Sequence, residues 1–370
     1  MALVDTIDRL CAAARQYGAS DLFLHAGRVP QIRLEGRLAP LDEAALTPAE
    51  VDAFWTRCAV PLETADHDGG FISADGTRFR VSFFRSFDGR GAVMRQILTE
   101  IPTLDGLGLP VALLTSWISR PSGLILVTGP TGSGKSTTLA ACLEWMNRNT
   151  SRHIVTIEDP IEYLFEPNLS VFTQREVGTD TPSFAEGLRR ALRQSPDVIL
   201  VGEIRDVASA LTALQAAQTG HLVLSTLHGT NAVDSLERIA RLCNTGDRAG
   251  MLQILGQQLV GVLCQRLVPG AGGGSVVVVE HLENRGATRK WIAEEQFLTL
   301  SDFIARGDNP ANVPFLRSLA DRVRTGRITE ETALHLAPNA HELQRELRGI
   351  GRVAAVPPAA TAPTPVPTPI

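Results

Sequence analysis

The apolar positions divide the chain into stretches with different periods. Residues 4–17 repeat with helical spacing, with Leu10, Ala13 and Ala14 among the apolar positions. Asp21-Leu-Phe-Leu-His25 and Gln31-Ile-Arg-Leu-Glu35, separated by Gly27 and Pro30, predict two short strands. Residues 77–84 and 91–95 predict a second strand pair flanking a turn at Asp88-Gly89. Together these make residues 1–99 a small mixed α/β domain. Gly and Pro punctuate residues 100–110, the expected linker. From Gly123 onward strands alternate with helices, the signature of a parallel sheet with crossover helices. Residues 124–128, 153–157, 197–201 and 221–225 are nearly unbroken apolar runs, as strands covered on both faces require. Ser183 and Glu186 predict a capping box ahead of Leu188, Ala191 and Leu192, and residues 206–219 a further helix closed by Gly220. Residues 111–296 are thus expected to form one α/β core and 297–350 a helical C-terminal region. Residues 351–370, rich in Pro, Ala and Thr and without periodicity, predict a disordered tail.

The length, 370 residues, exceeds the usual size of one hydrophobic core and agrees with two domains. With 44% hydrophobic and 20% charged residues, the composition is that of a soluble globular protein. No apolar stretch approaches the ~20 residues that cross a bilayer. The start, Met1-Ala-Leu-Val-Asp5, lacks the basic and apolar regions of a signal peptide, so the expected location is the cytoplasm. A formal net charge of -5 argues against a nucleic-acid substrate, because counterion release favours basic surfaces. The five cysteines, Cys11, Cys58, Cys142, Cys243 and Cys264, are scattered without CxxC spacing. That spacing excludes a four-cysteine zinc site and leaves them as buried small hydrophobes.

Four segments carry candidate chemistry. Gly129-Pro130-Thr131-Gly132-Ser133-Gly134-Lys135-Ser136 fits the GxxxxGK[ST] phosphate-binding template without mismatch. An apolar strand runs into it, and Lys135 opens a helix expected to continue through Met146. The glycines let successive backbone N–H groups turn inward toward phosphate oxygens, and the helix N-terminus adds its partial positive charge. Lys135 would reach the β- and γ-phosphates of ATP, and the Ser136 hydroxyl would bind Mg2+. Asp197-Val-Ile-Leu-Val-Gly-Glu203 places a carboxylate at a neighbouring strand tip, where P-loop enzymes handle magnesium. Glu158-Asp-Pro-Ile-Glu162 crowds three carboxylates into five residues, an arrangement that a cation or a reacting water would relieve. His221 opens and His228 closes the run ending Ser225-Thr-Leu-His228, which brings His228 to the γ-phosphate end of the sheet. Arg80 and Arg95 lie outside this domain and read, by spacing alone, as surface arginines.

Those segments, in that order, resemble the bacterial secretion and pilus ATPases, and most closely the type IV pilus retraction ATPases. Residues 129–137, which add Thr137 to the loop, look like the family's Walker A motif. Thr156-Ile-Glu-Asp-Pro-Ile-Glu162 resembles its Asp box, residues 196–206 its Walker B motif, and residues 220–228 its His box. Ala19-Ser-Asp-Leu22 and the Arg80/Arg95 pair fit its amino-terminal domain. The resemblance spans residues 4–345. It implies an α/β architecture: a PAS-like N-terminal domain, a RecA-like P-loop domain and a helical C-terminal region, assembled as a homohexameric ring. It assigns Glu162 to polarising the attacking water and Glu203 to the Mg2+ site. It adds Arg80 and Arg95 as phosphate contacts, and His228 with His221 as active-site members. The implied partner is an inner-membrane pilus platform protein, with a paralogous pilus ATPase as a second partner, and the machine would hold the chain at the inner membrane. The cysteine zinc module of the assembly and type II secretion enzymes is missing.

The retraction members carry an Ala-Ile-Arg-Asn-Leu-type motif after the last strand of the ATPase domain. Here that region is Phe297-Leu-Thr-Leu-Ser-Asp-Phe-Ile304, which keeps the hydrophobic spacing alone, and Asn312-Val-Pro-Phe-Leu-Arg-Ser-Leu319 arrives early. Two other readings therefore stand beside a retraction motor: an accessory paralogue within a pilus ATPase ring, and a DNA-uptake or secretion ATPase of the same superfamily.

Overall fold

The computed structural model describes residues 2–349 apart from positions 35, 98, 99, 244, 308 and 310, so the tail expected at 351–370 lies outside the described residues. Two sheets organise the chain. The first contains β1 (Asp21–His25), β2 (Gln31–Leu34), β3 (Arg37–Pro40), β4 (Asp66–Ile72), β5 (Arg78–Ser86) and β6 (Gly89–Gln96). Its strands run antiparallel in the order β3-β2-β1-β6-β5-β4. Along β5, Phe79, Val81 and Phe83 are buried while their neighbours are not, the period-two pattern of a sheet covered on one face. Helices Ala2–Gln16 and Pro48–Arg57 supply the cover, with Ile7, Leu10, Phe54 and Trp55 in the shared core. Pro48–Arg57 begins with a complete capping box between Thr47 and Glu50.

The second sheet contains β7 (Gly123–Thr128), β8 (His153–Glu158), β9 (Val171–Glu176), β10 (Val198–Val201), β11 (Leu222–Leu227), β12 (Leu259–Pro269), β13 (Ser275–Glu283) and β14 (Asn312–Val313). Their order is β14-β13-β12-β7-β11-β10-β8-β9, parallel from β12 through β9 and antiparallel from β12 to β14. The unbroken apolar runs divide between two cores. Leu126, Val155, Ile157, Ile199 and Val201 face helices Phe184–Ala191, Val207–Gln218 and Ala232–Leu242. Ile125, Val127, Ile154, Val198, Leu200 and Leu224 face helices Val111–Ile118 and Lys135–Asn149. The latter helix runs three residues past the expected Met146, to Asn149. Residues 100–110 hold no regular element, yet Leu104 and Leu109 are buried in this second core, so the segment is anchored to the P-loop sheet.

The expected capping box at Ser183 is half formed. Ser183 accepts from the Glu186 N–H, but the Glu186 carboxylate binds Arg189 and Arg190 instead of reaching back. Beyond β13 the C-terminal helices divide. Phe297, Leu300 and Ile304 of Phe297–Arg306 pack into the core of the P-loop sheet, whereas Phe315, Leu319, Ala320 and Leu343 form a separate cluster with Val268 and Val278. Glu280 of β13 is buried beneath them. It accepts the N–H of Ala232 (2.8 Å) and that of Phe315, so one carboxylate sits at the N-termini of helices Ala232–Leu242 and Phe315–Arg324. Burial raises its pKa, and those two bonds oppose the rise.

Candidate active site

β7, wholly buried, delivers the chain to the phosphate loop at the C-terminal edge of the sheet. Gly129, Gly132 and Gly134 then take φ of 145°, 75° and 83°, which only glycine adopts readily, and helix Lys135–Asn149 follows. At Gly129 the space is closed as well, since a Cβ there would lie 2.3 Å from the Gln265 carbonyl oxygen. Gln265, 1% exposed on β12, braces the loop from behind. Its Nε2 donates to the Ser133 carbonyl (2.6 Å), and its Oε1 accepts from Thr138 Oγ1 (2.9 Å). No sequence motif singled out Gln265. The available signal was one amide interrupting an apolar strand. Lys135 donates to the carbonyls of Gly129 (3.1 Å) and Pro130 (3.0 Å). Burial lowers its pKa, and the negative charges of Glu203 and Glu162 oppose that shift. Thr131 is exposed on the loop, and Thr137 hydrogen-bonds the Tyr163 hydroxyl at 3.1 Å.

Because β7, β11, β10 and β8 run parallel, their C-terminal ends share one edge. A cavity of about 170 Å3 opens there, lined by Lys135, Ser136, Glu158, Glu162, Tyr163, Glu203 and His228. The three crowded carboxylates have separated by environment. Glu158 is buried, accepts from Thr156 Oγ1 at 2.7 Å, and is pushed up to about 7 by burial. Asp159 accepts from Arg205 at 3.1 Å, and Glu162 faces the cavity beside Lys135. Glu203 accepts from Arg205 Nε at 2.7 Å and lies 3.3 Å from His228 Nε2. Asp159, Arg205, Glu203 and His228 thus form one continuous polar chain along the cavity mouth.

Two expectations on the histidines separate. His228 lines the cavity, but His221 bonds the Ala216 carbonyl (3.0 Å) at the opposite edge of the sheet. The six residues of β11 lie between them, roughly 20 Å of extended chain, so His221 is not an active-site member of this chain's cavity. Arg80 and Arg95 are directly paired across β5 and β6 on the first sheet and do not line the cavity. Arg95 contacts the buried Asp21 at 2.8 Å, and Arg80 lies 3.8 Å from Asp68.

The residues fit a magnesium nucleotide. Ser133 Oγ is buried with no hydrogen-bond partner among the described residues, on the loop that leads into the N-terminus of helix Lys135–Asn149. Ser136 and Glu203 on one cavity wall supply hard oxygen donors, a partial set of the kind Mg2+ completes with water and phosphate.

Comparison with known proteins follows that geometry. Residues 69–290 match the family model described as type II/IV secretion system protein. The chain is 38% identical over 333 residues to the type IV pilus retraction ATPase PilT of Pseudomonas aeruginosa, covering 88% of this chain and 96% of that protein. It is 37% identical over 345 residues to the type IV pilus ATPase PilU of the same organism, covering 91% and 90%. Among solved structures, the pilus retraction motor PilT with bound ADP superposes with a TM-score of 0.83 at 37% identity, covering 92% of this chain and 99% of that one.

Proposed function

The chain belongs to the family of type II/IV secretion system proteins as an ATPase with a RecA-like P-loop domain, and we propose that it is a homohexameric motor retracting type IV pili. The observation that carries the proposal is the convergence of Lys135, Glu162, Glu203 and His228 on one cavity at the mouth of an intact phosphate loop.

In this reading the loop N–H groups and Lys135 hold the β- and γ-phosphates of ATP, with Gly129–Thr137 wrapping the chain of phosphates. Glu162 orients a water and accepts its proton while the water oxygen bonds to the γ-phosphorus and the bond to the bridging oxygen breaks. The products are ADP and inorganic phosphate, and the proton passes from Glu162 to solvent. Ser136 and Glu203 would hold Mg2+, which would supply positive charge against the charge that builds on the phosphates. His228, whose Nε2 lies 3.3 Å from Glu203, reports on the γ-phosphate position. Arg80 and Arg95 come from the N-terminal sheet of a neighbouring protomer, which makes each site complete only within the ring. The ring works at the cytoplasmic face of the inner membrane against a platform protein. Among the described residues no helix is long and apolar enough to cross a membrane.

The near-equal similarity to PilU supports a second reading, an accessory member of a mixed ring. Counting surface pili separates them. Cells lacking the chain, and cells carrying Lys135→Ala, are both expected to show excess pili and no twitching. Bald cells in either strain would assign the chain to assembly, and normal twitching with Glu162→Gln would assign it the accessory role.

A further inference from the structure

A second concavity adjoins the nucleotide cavity on the far side of Glu203 and His228. It measures about 430 Å3 and uses those same two residues as its inner wall, with Arg205, Asp234, Arg238 and Arg241 around the rest. Asp234, Arg238, Arg241 and Leu242 recur at helical spacing on Ala232–Leu242, so one face of that helix forms the outer wall.

The charges there are unequally committed. Glu203 is engaged by Arg205 and His228, and Asp234 accepts from the backbone N–H (2.7 Å) and hydroxyl (3.1 Å) of Thr230. Arg205 joins Glu203 to Asp159, and Arg241 pairs with Glu237. Arg238 is exposed and has neither an ion pair nor a hydrogen bond among the described residues. Three guanidiniums therefore face two occupied carboxylates, and one of the three is uncommitted. Arg238 is thus the guanidinium of the groove without a carboxylate partner among the described residues, and the groove meets the nucleotide cavity at Glu203 and His228.

We propose that this groove is the exit route and transient binding site for the inorganic phosphate released by hydrolysis, with Arg238 as its principal contact. The inference rests on the ATPase reading above. A small dianion leaving the cavity past His228 meets the groove directly, and the free guanidinium offers it a charge-assisted, two-point hydrogen bond. An acidic side chain from a neighbouring protomer would satisfy the same charge, but it would not require the groove to share its inner wall with the catalytic cavity.

The test uses the full chain and its Arg238→Ala variant. In single turnovers, phosphate bond cleavage is read in acid-quenched samples and free phosphate with a fluorescent phosphate sensor. In Arg238→Ala, cleavage is expected to precede free phosphate, with release slowed about tenfold, the worth of one lost charge-assisted contact. The concentration of added inorganic phosphate that half-inhibits turnover should rise by a similar factor. Arg241→Ala, whose guanidinium is already paired, should show the smaller effect. Cleavage and release that stay coincident in Arg238→Ala, with phosphate inhibition unchanged, overturn the proposal. Loss of the ring on size-exclusion chromatography with unchanged phosphate inhibition also overturns it and assigns the groove to an acidic partner segment. A wild-type chain that cleaves no ATP would instead remove the ATPase reading itself.

Discussion

The two sheets of this protein hold their functional side chains in opposite ways. On the P-loop sheet, parallel strands send Lys135, Glu162, Glu203 and His228 to one edge, where they share a cavity. On the antiparallel N-terminal sheet, Arg80 and Arg95 sit side by side on adjacent strands, facing carboxylates of their own domain. A parallel sheet concentrates chemistry because all its strand ends of one polarity lie together, as a doubly covered α/β sheet requires. An antiparallel sheet spreads its side chains along a face and can present them only to something that docks there. One region gathers its side chains into a cavity, and the other displays them on a face.

Four experiments sharpen or break that division. Glu162→Gln should lower kcat by about a thousandfold while leaving ATP binding intact, as loss of a general base does; a small change would move the base elsewhere on the cavity wall. Glu158 gives the next largest effect. Its carboxyl titrates at about 7 in the folded chain and in the ordinary carboxylate range when unfolded, so between about 4.5 and about 7 the folded state holds the extra proton. Stability should fall as pH rises through that window and level off above it, by about 3 kcal/mol relative to Glu158→Gln. Parallel melting curves for the two proteins between about pH 5 and about pH 8 would show that the carboxyl is solvated. Third, Arg80→Ala should lower kcat about a hundredfold in the assembled ring. Its one ion pair among the described residues is long and exposed, so the melting temperature should barely move. An unaltered kcat would leave the N-terminal sheet outside the chemistry. Last, Gln265→Leu should weaken ATP and ADP alike by about tenfold with little change in kcat, the signature of lost uniform binding. A fall in kcat alone would show that the brace acts on the reacting end of the loop.

What could be read from the residues follows the same division. The strands at 124–128 and 153–157 were legible because residues buried on both faces leave an unbroken apolar run, and the loop at 129–136 because its chemistry fixes both residue types and spacing. β4, Asp-His-Asp-Gly-Gly-Phe-Ile, was not, since an edge strand with exposed positions carries almost no apolar signal. Gln265 escaped because its work is done by a side chain from a distant strand, and no local pattern encodes that distance. His221 entered the site through the resemblance alone, although its place at the start of the β11 run already set it at the other end of the strand from His228. Arg80 and Arg95 entered as phosphate contacts through resemblance alone, and within one chain they face Asp68 and Asp21 away from the cavity.

Glu280 gives the fold a mechanical property. A single carboxylate holds the first N–H of two helices, one that walls the groove beside His228 and one that opens the separate C-terminal cluster. The two helix starts share one anchor, so a change at that carboxylate reaches both of them at once.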